Sequence, residues 1–157
     1  MQDILPGINA GIGMPVNVTL SDQGQGITAN ATSLDRFHVP AAFKADVHNV
    51  VMRAVGMTCE INDLGSGATS GTWNVKLVKN DDATNGVIGT GKIVYNASGT
   101  GLSVAVDLRD AFGNGYALVA GDVLRLDLDV ATTSGSLSGG AKGVKCHVML
   151  EAYGVIG

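Results

Sequence analysis

The chain has 157 residues, of which 45% are hydrophobic, only 4% are aromatic and 23 are Gly. That is one domain whose core must come from Val, Leu, Ile and Ala, and the glycine content argues against a helical protein, where each interior Gly costs about 1 kcal/mol. The net charge is −4 with ten Lys and Arg and no basic run, so nucleic acid is excluded as a direct partner, and no apolar run of about 18 residues offers a membrane-spanning helix.

Residues 1–34 contain no Lys or Arg and mix Gly, Asn, Ser and Thr with single apolar residues. Ile4, Leu5, Ile8 and Ile12 lie in a stretch broken by Gly, Asn and Pro, and only residues 14–20 alternate cleanly. Such a segment cannot build a core, yet it is too apolar for an ordinary solvated tail. It is therefore expected to be an extended N-terminal arm before a domain spanning residues 35–157. Ile4, Leu5, Ile8, Ile12 and Met14 are its candidate partner contacts. The first residues show neither the basic region nor the apolar stretch of an export signal, which implies synthesis in a cytosol-like compartment.

Residues 43–55 place Phe43, Val47, Val50, Val51, Ala54 and Val55 on one face of a possible helix, with Pro40 near its first turn and Gly56 beyond its end. Read as a strand, Val51, Val55, Met57, Cys59 and Ile61 share a face, and the β-branched enrichment selects a strand over residues 47–61. Residues 63–71 read as a Gly/Ser/Thr loop, and 72–79 as a strand with Trp73, Val75 and Leu77 on the core side. Residues 80–86 form a turn ending in Asn85-Gly86, a strong hairpin signal, and 87–95 return as a strand whose Gly89 and Gly91 mark a bulge or a close approach. Leu102, Val104, Val106 and Leu108 alternate with polar residues. Residues 110–116 are a loop.

After Gly121-Asp122, Leu124, Leu126, Leu128 and Val130 fall on every second position, with Arg125, Asp127 and Asp129 between them. This is the period of a strand with one core face and one wet face, so the charges read as a solvated ladder. Residues 132–142 read as a long Gly/Ser loop, and Val144, Cys146, Val148 and Leu150 as the last strand. Strands at this spacing without a confident helix predict an all-β, antiparallel β-sandwich of jelly-roll type.

The motifs that carry chemistry fail in detail. Residues 86–92 match the opening of a phosphate loop, but Ile93 stands where Ser or Thr should bind Mg²⁺, and a strand follows instead of a helix. Residues 81–92 imitate a calcium loop with Ala83 and Lys92 at ligand positions. His38, His48 and His147 lack metal-ligand spacing, and residues 135–139 carry Leu137 in the nucleophile position of a hydrolase elbow. The Asn-x-Ser/Thr triplets at Asn17, Asn30 and Asn96 are explained by composition in a chain without an export signal. Cys59 and Cys146 occupy core-face positions, where free thiols are the expected state in a reducing compartment. No enzymatic activity, metal or cofactor is expected.

With the strands placed, the pattern resembles the small jelly-roll decoration, or cement, proteins on the outside of tailed-phage capsids. The features that carry it are Phe37-His38-Val39-Pro40 before a long strand, Thr72-Trp73-Asn74-Val75-Lys76-Leu77, the glycine-rich return at 86–91, Val119-Ala120-Gly121-Asp122-Val123-Leu124 and the closing 144–150, together spanning residues 37–153. The resemblance implies a structural virion protein of a bacteriophage, on the outer capsid surface. It would be a homo-oligomer, most often a trimer, whose partner is the major capsid protein. The apolar arm departs from that pattern. A carbohydrate- or receptor-binding jelly-roll module of a phage fibre is the alternative, and it calls for exposed aromatics that a core-facing Trp73 would not provide.

Overall fold

A computed structural model describes residues 14–40, 50–96, 99–100, 102–138 and 140–154. These residues form ten strands and no helix: β1 (Met14–Ser21), β2 (Ala31–His38), β3 (Val50–Asp63), β4 (Ser66–Lys79), β5 (Val87–Asn96), β6 (Gly99–Thr100), β7 (Ser103–Asp107), β8 (Tyr116–Leu118), β9 (Val123–Ser138) and β10 (Lys142–Gly154). They make two five-stranded antiparallel sheets. One runs β1-β10-β3-β7, with β8 also paired to β3, and the other runs β2-β9-β4-β5-β6. The partners are nested in the sequence: β4 with β5, β3 with β7, β2 with β9, and β1 with β10. That nesting, folded into two facing sheets, is the jelly-roll arrangement.

The alternating residues do what their period demands. Leu124, Leu126 and Leu128 of β9, Trp73, Val75 and Leu77 of β4, and Val144, Cys146, Val148 and Leu150 of β10 are fully buried between the sheets. Trp73 meets Tyr95 edge-on, with centroids 6.1 Å apart and planes at 78°. Glycine on β5 lets the two sheets close: a Cβ on Gly89 would stand 2.6 Å from Leu108 Cδ2 and 2.7 Å from Met57 Sδ. The close approach expected at that residue is thus made by side chains of the facing sheet.

Three expectations need correction. Residues 14–34 do not belong to a separate arm, because β1 pairs with β10 from Met14↔Ala152 to Ser21↔Lys145, and the boundary at residue 34 falls inside β2. Leu20 belongs to the common core, and Val16 and Val18 pack against it. Residues 66–71 and 132–138 are not loops but the far ends of β4 and β9, paired across shifts at 66/68, 68/70 and 70/71. Small polar residues interrupted by irregular register carry no alternation, so the pairing leaves no trace in the pattern. The strand reading of residues 50–61 stands as β3, and 47–49 lie outside the described residues.

Candidate interaction surface

Arg125 and Asp127 point to the outer side of the second sheet, as their alternation with the leucines requires, yet they are only 7% and 4% exposed. The solvated ladder expected there is instead a covered ion pair. The cause is a bulge in β2. Asp35 pairs with Leu126 and Ala31 with Leu128, so residues 32–34 stand opposite the single Asp127 and fold over it. Ser33 takes φ 60°, and its backbone N–H donates to Asp127 Oδ1 at 2.8 Å. Arg125 meets the same carboxylate with two parallel bonds, Nε to Oδ1 at 2.8 Å and Nη2 to Oδ2 at 2.6 Å, the strong fork geometry of guanidinium and carboxylate.

The network continues through the β4–β5 turn. Asn80 and Asp81 both adopt left-handed backbone, φ 56° and 58°, as a tight hairpin turn requires. This aims the Asp81 carboxylate between two arginines that are cross-strand neighbours, Arg36 and Arg125, with one oxygen 2.7 Å from Arg36 Nη1 and the other 3.1 Å from Arg125 Nη1. Partial desolvation works to raise the Asp81 carboxyl, but the bonds from Arg36 and Arg125 outweigh it and hold it below the usual carboxylate range. The Asp127 bonds push the Arg125 guanidinium up. Asp82, imitating a calcium ligand in the sequence, accepts the backbone N–H groups of Asn85 and Thr84, which lower its carboxyl. It is a turn cap.

Asp122 ties the same corner to the strand that follows. Its carboxylate accepts the Val119 N–H at 2.8 Å and an Asn80 side-chain N–H at 2.8 Å, and it lies 3.2 Å from Lys79 Nζ. Desolvation opposes ionisation there, and these donors overcome it, so its carboxyl is also lowered. Asn80 Oδ1 in turn accepts the Val123 N–H, and Lys79 Nζ donates to the Ala117 carbonyl. One end of the sandwich is thereby braced.

The most exposed aromatic side chain among the described residues lies elsewhere, in the connection from β7 to β8, which leaves the edge of β3. Phe112 is 89% exposed there, with Tyr116 at 44% on β8 and Val119 at 58% just beyond that strand. The loop holding it is not loose. Asp110 Oδ1 accepts the N–H groups of both Phe112 and Asn114, the Asp110 N–H donates to the Asn114 carbonyl, and the Gly113 N–H closes onto the Asp110 carbonyl with φ 80° at Gly113. Asp at the first position and Gly at the fourth are turn-forming residues, and together they present the side chain between them to solvent. That signal, Asp110-Ala111-Phe112-Gly113, was legible in the sequence but reads there only as a loop.

The outer face of the first sheet is open. Thr19 Oγ1 lies 3.0 Å from His147 Nδ1, Lys145 Nζ 3.5 Å from Glu60, and Arg109 Nη2 3.1 Å from Glu151. Gly56 and Ala105 leave a shallow depression among Asn17, Thr58, Asp107, His147 and Met149. Of the expected contact residues, Met14 starts β1 opposite Ala152, while Ile4, Leu5, Ile8 and Ile12 lie outside the described residues, as does His48. Among the described residues no group of three or more His, Cys, Asp and Glu could hold a metal ion, and no helix is long and apolar enough to cross a membrane.

No family model and no curated protein matches the chain. Among solved structures it is similar to a chain of the cyanophage Pam1 capsid asymmetric unit, at 19% identity and TM-score 0.46, over 88% of this chain and 85% of that one. It is also similar to the dimeric latent PorU of Porphyromonas gingivalis, at 12% identity and TM-score 0.40, over 88% of this chain and 13% of that one. A third likeness is to Desmodium yellow mottle tymovirus, at 13% identity and TM-score 0.37, over 92% of this chain and 82% of that one. Likenesses of this size assign no role, which has to be read from the chain's own surfaces.

Proposed function

We propose that the chain is a structural virion protein that binds the outside of a phage capsid as a homo-oligomer, most often a trimer, and stabilises contacts between major capsid protein subunits. The observation that supports this best is the Phe112 turn. A nearly fully exposed aromatic on a turn closed by four hydrogen bonds loses little freedom on docking, which is the property of an interface anchor. The sandwich behind it is filled with Leu, Val and Met side chains rather than hollowed for a ligand. The resemblance to decoration proteins supplies the kind of partner. Ile4, Leu5, Ile8 and Ile12, with Met14 at their root on β1, form a second attachment segment.

Sedimentation of the full-length protein with and without purified capsids tests the reading. Phe112→Ser is expected to leave the melting temperature unchanged and to lower capsid occupancy at least tenfold, and removal of residues 1–13 to weaken oligomer or capsid attachment. Full occupancy by both variants would remove these contacts from the mechanism. The exposed pair Phe112 and Tyr116 also gives a carbohydrate-binding module of a phage fibre a specific basis, since such rings stack on sugars. Glycan retention that Phe112→Ser abolishes, with no capsid binding by the parent protein, would favour that reading instead.

A further inference from the structure

Cys59 and Cys146 are 87 positions apart in the chain but direct partners in the β3–β10 ladder, and both are free and fully buried. Directly opposed residues of an antiparallel pair have Cα atoms about 4.5 or about 5.5 Å apart, and both values lie within the range of about 4.4–6.8 Å that a disulfide spans. Gly91 on the facing sheet leaves room for the Cys59 sulfur, to which a Cβ at that position would come within 2.5 Å. The space around that sulfur depends on Gly91, because a Cβ there would lie 2.7 Å from Cys59 Cβ and 3.0 Å from Val104 Cγ1.

We infer that Cys59 and Cys146 are an oxidisable pair, reduced in a thiol-rich compartment and closed to an intramolecular disulfide across β3 and β10 by a small disulfide such as oxidised glutathione. Interaction with Cys146 lowers the Cys59 thiol in spite of burial, and interaction with Cys59 together with burial pushes the Cys146 thiol up, so Cys59 is the attacking group. Its thiolate, the proton having left to solvent, attacks one sulfur of the glutathione disulfide and releases one glutathione thiolate. Cys146 then gives up its proton, attacks the Cys59 sulfur and expels the second glutathione thiolate. The cysteine pair loses two electrons, and the reagent gains them as two thiols. Closure joins two residues that already face each other in the ladder, and it is independent of what the protein docks to.

The full-length protein is incubated with oxidised glutathione, and separately refolded from denaturant in a glutathione redox buffer. It is then unfolded, treated with a maleimide and weighed intact. The expected product in both arms is a monomer about 2 Da lighter than the reduced chain, without maleimide, with a raised melting temperature that dithiothreitol reverses. Because buried thiols react only through opening of the ladder, the native arm is expected to be the slower, and the refolding arm removes access as a factor. Cys146→Ser is expected to carry one glutathione or one maleimide and to lose the shift. Two maleimides on the refolded parent protein, a stable glutathione adduct on it, or a disulfide-linked dimer would each overturn the inference.

Discussion

The outer faces of the two sheets are made from similar residues, Arg, Lys, acidic side chains, Thr and Ser, and end in opposite environments. On the first sheet, Lys145–Glu60 and Arg109–Glu151 pair side by side on an open β-surface, where such contacts contribute up to about 1 kcal/mol each and weaken with salt. On the second, Arg125 and Asp127 are covered by the bulge of β2 and by the β4–β5 turn, with Asp81 bridging to Arg36. The difference lies in backbone. Inserted residues in β2, around a left-handed Ser33, turn a surface ion pair into a buried one, and a buried charge that loses its partner is costly.

Asp127→Ala breaks that contrast most directly. It leaves the Ser33 N–H without its acceptor and the covered Arg125 guanidinium with Asp81 alone, so urea unfolding is expected to show a loss of about 3 kcal/mol. The double variant Arg125→Met, Asp127→Leu should recover most of it, since the covered site then holds no charge. A loss below about 1 kcal/mol for Asp127→Ala would mean that the bulge does not exclude water. Leu126→Ala, one residue away on the core face, calibrates the scale, with about 2–5 kcal/mol expected from lost burial and the cavity left behind.

Acid sharpens the comparison further. Asp81, Asp82 and Asp122 are all held below their usual carboxylate value of 3.8 in the folded chain. A group with a depressed folded value takes up its proton more readily when unfolded, so its stabilisation is complete above that usual value and is lost as pH falls through the folded one. The melting temperature is expected to be flat between about pH 5 and 8 on this account and to drop below about pH 4, with a smaller drop in Asp122→Asn. A fall already at pH 6 would assign the acid limb to other groups. The smallest effect belongs to the open face: Glu60→Gln is expected to change stability by no more than about 0.5 kcal/mol and to lose even that in 0.5 M salt.

The same contrast marks what could be read from the residues alone. Where one face of a strand is buried by a regular partner, period two is enough, and Trp73-Val75-Leu77, Leu124-Leu126-Leu128 and Val144-Cys146-Val148-Leu150 were all placed on the core side correctly. Burial of Arg125 and Asp127 was not legible, because it depends on residues 32–34, which are more than ninety positions away and betray no bulge in their types. Residues 66–71 and 132–138 pair as strands through Gly, Ser and Thr, whose pairing is set by neighbours rather than by alternation. The Phe112 turn lay between: its Asp and Gly announce a reversal, but nothing in four residues says that the ring stands clear of the sheet edge.

The nested pairing also dictates an order in time. Of the nested pairs only β4 and β5 are neighbours in sequence, so their hairpin is complete as soon as Asn96 is available, while β3 waits for β7, β2 for β9, and β1 for β10. During synthesis the chain therefore holds β1 and one long edge of β3 without final partners until β10 emerges, and Leu20 meets Cys146 only then. Closing loops of that length before contacts reward them makes for slow folding, and unpaired edges invite pairing between nascent chains. Yield in the cell is thus set by how quickly β10 is delivered, and truncations that remove it should aggregate rather than form a smaller sandwich.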